Sequence, residues 1–102
     1  MNNLIIVARD CMLSSLEELL CENGVTGYTI MNNVMGKGLH GRVYGTFLNP
    51  DSNTIIFSVL ASEQAEQVVS ALKMLRAERK SALHDEDPIP LKVFLSPCEE
   101  CI

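Results

Sequence analysis

Apolar residues recur along this chain in two rhythms, one near period two and one near 3.6, and the exchange between them lays out the elements. Leu4-Ile5-Ile6-Val7-Ala8 is a short β-branched run suited to a strand in a sheet covered by helices. A helix follows. Ser14 and Glu17 stand as a capping box, Leu16, Leu19 and Leu20 form an apolar stripe, and Gly24 is placed to supply the left-handed residue that ends the helix. Val25 to Met31 predicts a second extended segment. Four glycines then fall between Gly36 and Gly45, so 32–41 is expected as a glycine-punctuated loop or irregular hairpin.

Arg42 to Leu48 reads as an extended arm, 49–53 (Asn-Pro-Asp-Ser-Asn) as a turn, and Thr54 to Leu60 as the clearest strand. Ser62 is expected to cap a second helix, with Ala65, Val68, Val69, Leu72 and Leu75 on its apolar stripe and an end near Lys80. Its acids sit early and its bases late, as the helix dipole favours. An acidic, proline-bearing loop follows from His84 to Pro90, then a strand from Leu91 to Leu95 that Pro97 terminates. The order β-α-β-β-α-β predicts an α+β, ferredoxin-like fold: one domain over 1–102, an antiparallel sheet with two helices on one face.

Composition narrows the partners. The formal charge is −5, aromatic residues are 5%, and there is no Trp, so the chain has neither a basic field nor a stacking platform, and nucleic acid is excluded as a partner. Apolar residues make up 47%, which is high for the surface of a small monomer and predicts a subunit interface. Met1-Asn2-Asn3 carries no side-chain charge, Leu4 to Ala8 is too short for a signal peptide, and no apolar stretch reaches the roughly 20 residues of a membrane span. A soluble cytoplasmic protein is expected, meeting a membrane only through a membrane-protein target. In that compartment Cys11, Cys21, Cys98 and Cys101 begin as thiols. Cys21 falls on the helical stripe and is expected to be a small buried hydrophobe; Cys11 sits at a strand-to-helix junction.

No nucleophile, base and orienting acid come together, so no catalytic residue is assigned and regulation is expected rather than enzymology. Two clusters carry candidate chemistry. Cys98-Glu99-Glu100-Cys101 is a C-x-x-C pair whose acidic neighbours disfavour an attacking thiolate, which argues against a thioredoxin-like catalyst. A disulfide switch, a soft-metal site completed by His84, a carboxylate or a second subunit, and an incidental pair in an exposed tail are all open readings. Gly36, Lys37, Gly38, His40 and Arg42 form a basic, glycine-flexed segment that suits anion binding or insertion into a partner, with a solvated hairpin as the plain alternative. Asp85, Glu86 and Asp87 lack the spaced oxygens and central glycine of an EF-hand and read as a solvated acidic loop. Met31 and Met35 suit either an adaptable contact surface or the core.

Several strings resemble the PII signalling proteins, trimeric regulators with this element order. They are Gly24-Val25-Thr26-Gly27-Tyr28-Thr29-Ile30, the Gly36-Lys37-Gly38 turn that looks like the base of the family's T-loop, Ser58-Val59-Leu60-Ala61-Ser62-Glu63-Gln64 with Val68-Val69-Ser70-Ala71-Leu72, and Lys92 through Glu100. The resemblance implies a homotrimer of ferredoxin-like subunits, a small-molecule effector in the cleft between them, and an unidentified target protein met by the 32–44 loop. It places Gly36, Lys37, Gly38, Arg42 and Lys92 as ligand contacts, Lys92 where the family has a phosphate-binding lysine. The departures weigh against the adenine nucleotide that the resemblance suggests as ligand. The segment 81–88 has no glycine and three consecutive acids, Pro88 and Pro90 lack N–H donors, and the chain stops before the family's basic C-terminal loop. Tyr44 does not align securely with the tyrosine that some members carry as a modification site. The alternative class is a small metal-binding or thiol-redox protein working through Cys98 and Cys101.

Overall fold

The computed structural model describes residues 1–38, 41–43, 52–82 and 91–102, with 36–38, 41–43 and 80–82 described through their backbone. Strand β1 (Asn2–Arg9) leads through a single 3-10 turn (Asp10–Met12) into helix α1 (Leu13–Glu22). Strand β2 (Thr29–Val34) is followed by a short hairpin of β3 (Gly36–Gly38) and β4 (Gly41–Val43). Strand β5 (Asn53–Leu60), helix α2 (Ser62–Ala82) and strand β6 (Leu91–Pro97) complete the order. The main sheet runs β2-β5-β1-β6 with every pairing antiparallel, and β3 pairs with β4 as a separate ribbon. This is the predicted ferredoxin-like arrangement with a hairpin added after β2.

Burial alternates strictly along β1, with Leu4, Ile6 and Ala8 sealed and Ile5 and Val7 only half-buried. Both helices therefore cover the same face of the sheet. Leu16, Leu19 and Leu20 of α1 and Ala65, Val68 and Leu72 of α2 meet Leu4, Ile6, Ile56 and Leu91 there in one core. Ser58 is buried on that side because its hydroxyl donates to the Gly27 carbonyl at 2.6 Å.

Helix α1 stops as its glycine predicts, with Gly24 at φ 76°. The Gly24 N–H donates to Cys21 O at 3.1 Å and the Val25 N–H to Leu20 O at 2.9 Å, a Schellman pair that satisfies two orphan carbonyls. Val25 is thus buried in closing the helix, and β2 begins at Thr29 instead of Val25.

Three further expectations change. No capping box forms at Ser14, because the 3-10 turn delivers Met12 to the cap position and the helix starts at Leu13. Cys21 is exposed, one step around the helix past the Leu16-Leu19-Leu20 stripe. Helix α2 begins at Ser62, with the Ala65 N–H bonded to Ala61 O at 2.9 Å, and runs through Ala82, so Ser81 and Ala82 belong to it and not to the following loop. Among the described residues no helix is long and apolar enough to cross a membrane.

Candidate functional site

One end of the main sheet gathers the close of β1, the close of β2 and the start of β5, since Asn53 stands opposite both Arg9 and Val34. Polar side chains bind these three strand ends together. Asp10 N–H donates to Ser52 O at 2.7 Å, and the Ser52 hydroxyl, wholly buried, contacts Asp10 Oδ2 and lies 2.9 Å from Asn33 Oδ1. A hydroxyl has one proton, so with that proton on the carboxylate the Asn33 amide must turn to donate its N–H to Ser52 Oγ. Beside them the Thr54 hydroxyl sits 3.0 Å from Asn32 Oδ1 and 3.3 Å from Met31 O. Asp10 Oδ1 is buried without a hydrogen-bond partner.

The same end carries an irregularity in β2. Met31 pairs with Ile55 and Val34 with Asn53, so three steps on β2 oppose two on β5, and Asn33 takes up the extra residue at φ 60°. Asparagine tolerates that left-handed conformation better than most side chains. One residue later the hairpin starts, its register setting Gly36 opposite Val43, Lys37 opposite Arg42 and Gly38 opposite Gly41. The expected irregular hairpin is therefore present at 36–43. Met31 and Met35, 47% and 61% exposed, stand at its root as surface residues rather than core.

Lys92 is exposed on β6 and paired with Val7, one step in from this end of the sheet. The fold thus brings Lys92 to the end from which the Gly36, Lys37, Gly38 and Arg42 hairpin emerges. It does not bring the thiols there. Cys98 follows β6 at the opposite end, its N–H bonded to Met1 O at 3.1 Å, about 20 Å from Lys92 along a strand. Cys98 is half-buried and Cys101 exposed with Sγ 3.7 Å from Glu99 O. Among the described residues no three His, Cys, Asp or Glu side chains are grouped to hold a metal. His40, Tyr44, His84, the 85–87 acids, Pro88 and Pro90 lie outside the described residues.

The Asp10, Asn33 and Ser52 tie was not anticipated. Its members are up to 42 residues apart and each reads locally as a turn residue, so only the strand register reveals them. Elsewhere, Tyr28 donates to Glu17 Oε1 at 3.1 Å, and this bond, with desolvation and the carboxylate's charge, raises the phenol above its usual value.

A ferredoxin-like sheet with helices on one face, an apolar face left open, and a basic hairpin at one strand end defines a small regulatory module rather than a catalytic one. The family model of the nitrogen regulatory protein P-II matches residues 1–102, and the chain belongs to that family. It is a PII-like regulatory protein; proteins of the family are signalling regulators that form trimers and bind small effectors and partner proteins. Among solved structures, CPII, a nitrogen regulatory PII-like protein from Thiomonas intermedia K12 bound to ADP, AMP and bicarbonate, is 24% identical with a TM-score of 0.72. That alignment covers 93% of this chain and 82% of CPII. The apo form of the same protein is 20% identical with a TM-score of 0.65, over 93% of this chain and 85% of the other. No curated protein matches the chain.

Proposed function

We propose that this chain works as a cytoplasmic homotrimer, without catalysis of its own, in which a small anionic effector bound at the subunit cleft sets the conformation of residues 32–44 for a target protein. The carrying observation is the convergence at one sheet end of Lys92 and a hairpin whose register opposes Lys37 to Arg42. Like charges directly opposite across a ribbon destabilise it, so an anion held between them offsets a cost that the bare hairpin bears. Glycines at 36 and 38 leave room for a ligand to approach the backbone.

Trimer formation is supported by the uncovered face of the main sheet, where Phe57, Val59 and Phe94 are 39%, 43% and 55% exposed. The effector class is supported by the CPII complexes, which hold ADP, AMP and bicarbonate, all anions. Coupling would be a population shift: a ligand that contacts the hairpin in one conformation only favours that conformation by its differential affinity. Cys98 and Cys101 stand apart from this site, and a metal there would need ligands from another chain or from outside the described residues.

The test is native mass spectrometry with ADP, AMP and bicarbonate added in turn, followed by calorimetry on wild type and Lys92→Ala. A trimer that takes up one of these anions, with affinity falling by about ten- to a hundredfold in Lys92→Ala, is the expected result, the size of one charge-assisted hydrogen bond. A monomer under all conditions, or unchanged binding by the variant, overturns the respective half of the reading.

A further inference from the structure

On the helix side of the molecule α1 and α2 enclose a depression of about 340 Å³. Its floor is apolar, built from Leu19 of α1 and Leu75 of α2, with Met74 standing 65% exposed at its wall. Its rim is acidic: Glu18 and Glu22 from α1 and Glu78 from α2. The nearest base, Arg79, is engaged with Ser15 Oγ at 2.8 Å at one end of the trough.

The acids are placed against local helix rules. Glu18 and Glu22 are four apart on one helix, where like charges repel, and Glu22 is the last residue of α1, beside the negative end of the helix dipole. No base lies in that last turn to relieve either conflict. Residues that break local rules without gain to the fold mark a surface shaped for something else. A cation supplied from outside would relieve both conflicts at once.

We infer that this groove is a docking site for a basic amphipathic segment of another protein, one that seats one or two large apolar side chains between the helices and sets Lys or Arg against Glu18, Glu22 and Glu78. Anionic lipid surfaces and nucleic acid are repelled by the same three carboxylates. The groove lies on the face of the subunit opposite the open sheet face, so assembly through the sheet leaves it accessible. The inference does not depend on the effector or on the hairpin.

The probe is a fluorescently labelled peptide of about 18 residues, five helical turns, with Leu at i, i+3, i+4 and i+7 spacing and Lys elsewhere, titrated with the full chain and followed by anisotropy. A scrambled peptide of equal composition is the first control. The second compares Glu18→Lys, Glu22→Lys, Glu78→Lys with a charge-matched variant, Glu63→Lys, Glu66→Lys, Glu99→Lys, whose positions are equally exposed but away from the groove. The expected result is binding of the ordered peptide lost by at least about tenfold in the groove variant and changed by less than about twofold in the matched one. Met74→Asp, at an exposed position that leaves the fold intact, should also weaken it. Equal losses in both charge variants, equal binding of the scrambled peptide, or no change with Met74→Asp would overturn the inference.

Discussion

On one face of the main sheet Leu4, Ile6, Ile56 and Leu91 lie sealed beneath two helices, while on the other Phe57, Val59 and Phe94 remain 39%, 43% and 55% exposed. Both sets come from β1, β5 and β6, alternating residue by residue, and both are strongly apolar. The difference lies only in what covers them. Burial of the first set drives folding of a single chain, since apolar area removed from water stabilises by about 25 cal/mol per Å². The second set can contribute that stabilisation only when another copy arrives, so one strand sequence carries instructions for two separate events.

The largest effect should come from the covered face. Ile6→Ala removes a wholly buried side chain from the centre of the core and should lower unfolding free energy by about 2–5 kcal/mol in a urea titration. A loss well under 1 kcal/mol would mean that the helices do not seal this face as described. Next comes the open face: Phe57→Asp should leave the far-ultraviolet circular dichroism of the chain unchanged yet convert the trimer to monomer in sedimentation velocity. If the trimer persists, assembly uses a different surface and the contrast between the faces collapses.

The smallest effect is a polar one on the helix side. Tyr28 packs partly against the core and donates to Glu17, which raises its ionisation above the usual phenol value of about 10. A raised folded-state value means that the bond stabilises fully below the unfolded-state value and is lost as pH climbs through the folded one. Tyr28→Phe should therefore lower stability slightly at neutral pH and abolish the late component of the alkaline phenolate titration. Equal stability profiles for variant and wild type through the alkaline range would remove the bond from the account.

Much of this architecture was legible in the chain. Two periodicities in the right order suffice for β-α-β-β-α-β, and Gly24 alone locates the end of α1, because a left-handed position has few other occupants. Errors arose where a local signal had two structural uses. Val25 reads as the start of a strand but closes the Schellman pair, and Ser14 with Glu17 reads as a cap although a 3-10 turn had already set the start of the helix. Cys21 is apolar enough for the stripe and adjacent to it, yet 100° per residue carries it to the surface. At the candidate site the basic hairpin was visible from its glycines, whereas the Asp10, Asn33 and Ser52 tie depended on a register that no local pattern encodes.

The extra residue at Asn33 limits how this molecule can vary. A strand assigns its residues to alternate sides by parity, so one inserted position reverses the parity of everything that follows it until the chain turns. Deleting Asn33 would not merely shorten the approach to the hairpin; it would exchange the sides presented by 34–38 as a block. Insertions and deletions between Met31 and Gly36 should thus be tolerated in even numbers and not in odd ones, a length rule imposed on a segment whose composition looks free to drift.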